Sequence, residues 1–308
     1  MYPQNTEILQ GIYRKNFFDN VISGNAARYY NKLSKDVPQE TETVTYTSFG
    51  SVPEPNQLSG SVTTAGVVSA KVLKDYKLTV KVVEHQVKVP MPRSVAEDNP
   101  ADAQSIVGKL GGKSSFYYDR LFMACLTSTT LLGYDGVVIY SASHPESGTN
   151  QTNIDTSAGT PTGAQVETAI TSNLGAIHGF TDDQATPVNE GVMSFTILVN
   201  PLQYFTYKSV LDPNMSQQAI DSSGGTGKFR GMFTIIPTAL VASKTHYIFA
   251  NGAEPAVGFF HKTDWDMSSN MYTDSDLWKI DNTAMFMGYA RFAFYPWQWK
   301  STARYVFT

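Results

Sequence analysis

Five histidines, a single cysteine and a glycine-rich turn ahead of a lysine and a serine are the parts of this 308-residue chain whose types could carry chemistry. His144-Pro145-Glu146, taken with His178, Asp182 and Asp183, supplies the nitrogen and oxygen ligands that zinc or iron would use. No two histidines stand four residues apart to share a helix face, and spacing this scattered reads as loop histidines held by backbone carbonyls. Gly108-Lys109-Leu110-Gly111-Gly112-Lys113-Ser114 approaches a phosphate-cradling loop. Such a loop needs four residues between its first glycine and the Gly-Lys-Ser, so that backbone N–H groups wrap the phosphates, and a strand before it. Here only Lys109, Leu110 and Gly111 intervene, and the stretch sits inside a helical pattern. Gly225-Thr226-Gly227-Lys228-Phe229 lacks the hydroxyl after the lysine and reads as a flexible turn. No serine occupies a Gly-x-Ser-x-Gly elbow. Cys125 falls on the apolar face of a helix and reads as core packing, and a lone cysteine excludes disulfide frameworks and multi-cysteine zinc sites. The expectation is a chain with no catalytic residue, no metal and no cofactor.

Charge says more. Lysine and arginine number 23 against 27 acidic residues, a net charge of −4, which argues against a wholly basic nucleic-acid binder. Charged residues make up 16%, below the roughly 25% of an ordinary soluble domain. With hydrophobic residues at 42% and aromatics at 12%, the chain is not a disordered one. A large chain with few charges points to a surface covered by copies of itself. The start, Met1-Tyr2-Pro3-Gln4-Asn5, lacks a signal-peptide pattern, and no apolar run approaches the roughly 20 residues of a membrane span. Cytoplasmic synthesis without a membrane partner is expected, and a lone thiol fits a reducing compartment.

The charges are also segregated. Between 60 and 93, Lys71, Lys74, Lys77, Lys81, Lys88 and Arg93 face only Asp75 and Glu84. Between 264 and 281, Asp264, Asp266, Asp274, Asp276 and Asp281 face only Lys279. Two readings fit. These are solvated faces, or they are complementary surfaces that pair head to tail between subunits. On the second reading Lys71, Lys74, Lys77, Lys81, Asp264, Asp266, Asp274 and Asp276 are the inter-subunit contacts, each exposed pair worth about 0–1 kcal/mol. A smaller basic excess over 1–35 (Arg14, Lys15, Arg28, Lys32 and Lys35 against Glu7 and Asp19) reads as a solvated helix face.

The elements that must carry these residues follow from periodicity. Ile8, Ile12, Tyr13, Phe17, Val21 and Ile22 recur at helical spacing within an N-terminal arm, residues 1–42. Val44, Tyr46 and Phe49 alternate as a strand, turn residues follow, and Tyr76, Leu78, Val80 and Val82 line one face of a second strand. After Val83 the phase flips and Val87 and Val89 carry the apolar face, which predicts a bulge bending one long two-stranded ribbon over 43–90. Asn99 as cap, Pro100 at the first position and Asp102 in the first turn open a helix that runs to Gly133. Unbroken, it would be about 50 Å long. Gly108, Gly111 and Gly112, each costing about 1 kcal/mol against alanine, predict a kink near 111. Residues 143–163 are polar and read as a long loop. Beyond them a helix is expected at 163–179, a strand at 192–199, a helix after Pro201 and a polar loop at 212–228. Strands follow near 229–236, 245–250 and 257–261. Two long strand signals, 283–295 and 297–307, close the chain on either side of Pro296.

In this order the parts resemble the tailed-bacteriophage major capsid fold, of α+β class, and within it the bacteriophage Mu-like major head subunit family. The residues that carry the resemblance are the strand Lys77–Val89 and Ala96-Glu97-Asp98-Asn99-Pro100 leading into the helix. Above all it is Asp135-Gly136-Val137-Val138-Ile139-Tyr140-Ser141-Ala142-Ser143-His144-Pro145. The last is similar to the family's Asp-Gly, aromatic, Ser, His-Pro segment, with Tyr140 where phenylalanine is usual. The similarity covers roughly 68–308. It implies an arm (1–42), an extended β-hairpin loop (43–92), a spine helix with the first part of a peripheral domain (93–163), an axial domain (164–275) and returning peripheral strands (276–308). The 212–228 loop would stand near the capsomer centre. It further implies a subunit that assembles with itself into hexamers and pentamers, forming an icosahedral or prolate shell around double-stranded DNA held without sequence specificity. Scaffolding, portal and other head proteins would be its partners. The virion would be its location, after assembly in the host cytoplasm. With about 42 residues before the first strand, a separate scaffolding protein and a protease acting on it are expected. Two other readings remain: a subunit of an encapsulin-like bacterial cargo compartment of the same fold, and a soluble metal-dependent enzyme using His144, His178 and the nearby acids.

Overall fold

The computed structural model describes residues 3–49, 75–146, 149–211, 229, 231–271 and 281–308. The first half comprises α1 (Pro3–Ala26), α2 (Tyr30–Leu33), β1 (Ser34–Pro38), β2 (Thr43–Phe49), β3 (Asp75–Lys81), β4 (Val83–Pro92), α3 (Arg93–Asp98) and α4 (Pro100–Thr127). Then come β5 (His144–Glu146), β6 (Thr149–Gln151), β7 (Ile154–Ser157), α5 (Gly163–Gly179), β8 (Ser194–Val199) and α6 (Tyr204–Leu211). The last strands are β9 (Phe233–Pro237), β10 (Thr245–Asn251), β11 (Val257–Ser269), β12 (Thr283–Pro296) and β13 (Thr302–Phe307). The chain divides into two units. One holds Met1–Val44, Val80–Ser128 and Val257–Tyr295; the other holds Thr45–Thr79, Thr129–Ala256 and Pro296–Thr308.

The first unit is built on a four-stranded sheet in the order β1-β11-β12-β4. β1 runs parallel to β11, and β4 runs antiparallel to β12 from Val83 opposite Phe292 to Pro92 opposite Thr283. With side chains alternating across the strand, β12 buries Ala284, Phe286, Ala290 and Phe292. Phe292 meets Tyr118 of α4 at 4.6 Å between ring centroids, and Tyr118 stacks on Tyr30 at 4.9 Å. α4 spans 28 residues, about 42 Å, and buries Ala103, Val107, Leu110, Tyr118 and Phe122 along one stripe. It ends at Thr127 rather than 132, where the Thr127 hydroxyl donates back to the Met123 carbonyl at 2.9 Å.

Two expectations are corrected here, the kink in α4 and the single ribbon over 43–90. α4 passes Gly108, Gly111 and Gly112 as continuous helix, because two of these glycines make room for the neighbouring α1 instead of interrupting the axis. The helical spacing expected within 1–42 is α1. Its Tyr13, Phe17 and Val21 are buried, Ile8, Ile12 and Ile22 face outward, and the Tyr13 hydroxyl donates to the Ala96 carbonyl at 2.8 Å. The single bulged ribbon over 43–90 is also two strands of two sheets. β3 pairs with β2 in a sheet of their own, whereas β4 joins β12. The phase flip marks that change of sheet: Leu78, Val80 and Val82 are buried, and Val83 is exposed.

The second unit is built on a five-stranded sheet in the order β7-β13-β10-β8-β9. β10 is antiparallel to β13 and β8, while β7 and β9 add in parallel at the two sides. α5 begins at a reciprocal cap in which Thr162 Oγ1 accepts from the Gln165 N–H and Gln165 Oε1 accepts from the Thr162 N–H. It buries Val166, Ala169, Ile170, Leu174 and Ile177. The polar stretch 143–163, expected as loop, contains β5, β6 and β7. Its order comes from buried Asn153, whose amide donates to the Ile139 carbonyl at 2.7 Å and accepts from the Ser141 N–H at 3.0 Å. The 212–228 stretch expected as a loop lies outside the described residues. No helix among the described residues is long and apolar enough to cross a membrane.

Candidate functional site

The segment from Tyr134 to Glu146 is where the sequence concentrates its chemistry, and all of it belongs to the second unit. Gly136 has φ +76°, a turn conformation that favours glycine, and Asp135 Oδ1 accepts from the Val137 N–H at 3.1 Å. The turn aims the other carboxylate oxygen at His144, with Nδ1 to Oδ2 at 2.6 Å and both side chains at most 2% exposed. The His144 ring lies flat on Trp299, 3.9 Å away with 6° between planes. Two residues on, Glu146 forms a buried ion pair with Lys300 and accepts from the Tyr134 hydroxyl at 2.8 Å. His144, expected as a loop histidine held by a backbone carbonyl, is instead the first residue of β5 and is held by a carboxylate.

The other residues of the paper metal site serve elsewhere. His178, in the last turn of α5, packs edge-on against Phe195 at 5.8 Å. Asp182 Oδ1 accepts from the Gln184 and Thr186 N–H groups at 2.8 and 2.9 Å, closing its own turn. Among the described residues no three His, Cys, Asp or Glu side chains come together as a metal would require. Gly108–Ser114 is helical throughout, so its N–H groups are spent on the helix and no phosphate cradle forms. Cys125 is buried, and burial pushes its thiol well above the usual range, in keeping with core packing.

On the charged surfaces, Lys77, Lys81, Asp264 and Asp266 are exposed, while Lys71, Lys74, Asp274 and Asp276 lie outside the described residues. Lys81 pairs with Glu42 at 3.3 Å, and Asp266 pairs with Arg14 at 2.9 Å. Glu42 also faces Arg291 at 3.4 Å, and Arg291 Nε stands 3.5 Å from Glu84. This charged line at the foot of β3 is absent from the sequence reading. Its one signal is that Arg291 is the lone charged residue within the apolar run 283–296.

No curated protein matches the chain. Residues 96–305 match the family described as phage capsid protein, and residues 7–169 match the Mu-like prophage major head subunit gpT. The solved structures it resembles include the capsid of the cyanophage P-SCSP1u, with TM-score 0.62 and 11% identity over 91% of this chain and 88% of that one. Mycobacterium phage Bobi gives 0.59 and 15% over 90% and 89%. A virus-like particle from Pyrococcus furiosus gives 0.55 and 12% over 95% and 97%. At these identities the structures speak for the fold alone. The family matches carry the assignment: this chain belongs to the phage capsid protein family and is a major head subunit with the mixed helix-and-sheet fold of tailed-phage capsids.

Proposed function

We propose that the subunit builds the phage shell through hexamers and pentamers of itself around double-stranded DNA held without sequence specificity. Assembly in the host cytoplasm, with separate scaffolding, portal and other head proteins, completes the reading. The observation that carries it is the β2–β3 pair, a two-stranded sheet of its own. Two strands alone are marginal in water, and the apolar side of this pair is already met within the chain, Leu78 being buried and Tyr46 and Tyr76 packing on Trp297 and Tyr134, so what it offers a neighbouring copy is its charged side. Its exposed Lys77 and Lys81, with Lys71 and Lys74, are proposed to meet Asp264, Asp266, Asp274 and Asp276 of the next subunit. The pairs Lys81 already makes with Glu42 and Asp266 with Arg14 are exposed and exchangeable at about 0–1 kcal/mol each. Turnover has no place in this reading, which takes the Asp135–His144 pair, buried with its ring stacked on Trp299, as loop structure.

Electron microscopy of the full chain, expressed alone and with a candidate scaffolding protein, should show closed shells. Single molecules alone in ultracentrifugation at high concentration, with the helper supplied, would overturn the proposal. The likeness to the Pyrococcus virus-like particle keeps a cargo compartment as the second reading. Nuclease-protected DNA inside the particles supports the phage shell, and packaged enzyme supports the compartment.

A further inference from the structure

We propose that the outward face of α4 contacts the phosphate backbone of the packaged duplex, and hence that this face is turned to the interior of the shell. The inference rests on the capsid reading and adds a surface and a ligand to it. The charged side chains of α4 are Asp102, in its first turn and hydrogen-bonded to Asn99, the buried Asp119, and three exposed cations, Lys109, Lys113 and Arg120. Their spacing of four and then seven residues places them on one stripe, about 16 Å long. Phe116 falls in the gap, and Arg28, which stands 3.7 Å from the Asp119 carboxylate, lays its guanidinium over that ring at 5.2 Å.

Among the described residues no ion pair engages Lys109, Lys113 or Arg120; Arg120 leans on the Tyr117 ring at 5.7 Å. In a chain of net charge −4, three neighbouring cations without an ion pair are held against the bulk composition. A duplex carries one negative charge per about 1.7 Å of its axis, so a rod laid along the helix meets every cation whatever its sequence. A recess of about 630 Å³ opens beside Lys113 and Arg120, with Glu84 in its wall. That carboxylate opposes an acidic peptide entering the recess, which favours a rod along the ridge over an acidic protein tail.

The test uses the full-length subunit and a fluorescent random-sequence duplex, with affinity followed from 50 to 200 mM salt. Removing three phosphate contacts in Lys109→Ala/Lys113→Ala/Arg120→Ala should flatten the log–log salt slope by about 2.7. It should also weaken binding at least tenfold at low salt, while Lys109→Arg/Lys113→Arg keeps both. An unchanged slope in the triple variant overturns the inference. So does poly-glutamate bound more tightly than duplex and lost in the same variant, since that assigns the face to an acidic protein. Particle formation, scored separately by microscopy, tells failure of the capsid reading from failure of this one.

Discussion

A β-carbon placed on Gly111 would stand 2.6 Å from the carbonyl oxygen of Phe17. Backbone of α1 therefore lies directly on backbone of α4, and a second close approach, Gly24 against the Ser115 hydroxyl, repeats the device a turn further along. Carbonyl oxygen cannot rotate away as a side chain can. Gly111→Ala should cost about 1–3 kcal/mol by forcing the helices apart. Gly112 has nothing within 4 Å, so Gly112→Ala should instead stabilise by up to about 1 kcal/mol. Thermal melts of the two variants check the contrast; equal effects of the two alanines would discard the close-packing account.

Lys300 and Glu146 form an ion pair in which the side chains are 7% and 1% exposed. Taking both charges out of water is expensive, and removing one leaves the other stranded. Lys300→Met should cost about 3–5 kcal/mol, whereas Lys300→Met/Glu146→Gln should recover most of it, the glutamine still accepting from Tyr134. Denaturant melts of the double-mutant cycle measure this. Additive losses would mean that the charges are not coupled.

What the sequence made legible is what short-range periodicity encodes. α5 begins and ends at 163 and 179 as its capping threonine and apolar spacing require, and the strands around Tyr247 and Phe292 stand where alternation puts them. The Asp135-to-His144 motif was visible as a motif. Its physics was not, because the ring that covers His144 belongs to Trp299, far along the chain. The same distance hid the pairing of Arg291 with Glu42 and of β4 with β12. β7 was missed for a different reason. Ile154-Asp155-Thr156-Ser157 has little intrinsic strand preference and is recruited by β13, a tertiary choice that no local window carries. Glycines in α4 misled because their cost is intrinsic to the helix and their benefit lies in the neighbour.

His246 is wholly buried between Asn173, 3.1 Å from Nε2, and the Tyr207 hydroxyl, 2.8 Å from Nδ1. Burial pushes its pKa down to about 3. The unfolded chain takes up a proton below about 6.5 that the fold refuses, so this stability is complete above that pH and lost as pH falls toward 3. The slope should approach about 1.4 kcal/mol per pH unit between those limits. His246→Gln should remove that component from melts at pH 6 and 4, and the wild-type ring should give no titrating NMR signal over the same interval. A ring that titrates near 6.5 in the fold would refute the assignment.

Asp119 works in the opposite sense. It is buried under Tyr29 and Tyr30, its Oδ1 accepting from the Tyr30 N–H at 3.3 Å, and burial raises its pKa to about 6, more than Tyr30's N–H and Arg28 lower it. A carboxyl raised above its unfolded value stabilises the fold fully below about 4 and loses that contribution as pH rises through 6. Asp119→Asn keeps the acceptor for Tyr30 and cannot ionise, so its melting temperature should vary less than wild type from pH 4 to 6. A variant that tracks the wild-type profile would show that Asp119 is ionised throughout.

Lys81 stands at the head of a surface line that continues through Glu42 and Arg291 to Glu84. All these pairs are exposed enough that each is worth about 0–1 kcal/mol, too little to decide folding. Reversing Lys77 and Lys81 to glutamate should therefore leave the melting of the isolated subunit within about 1 kcal/mol of wild type. Between subunits the same change acts once per contact and is multiplied over the shell, turning each proposed attraction toward Asp264 and Asp266 into repulsion. Particle yield should fall steeply while the subunit stays folded. Restoring the complement with Asp264→Lys/Asp266→Lys should bring particles back, because the pairing is then inverted rather than removed. Normal yield from the Lys77→Glu/Lys81→Glu variant, or no rescue by the inverted partner, would show that charge does not steer the docking of the hairpin.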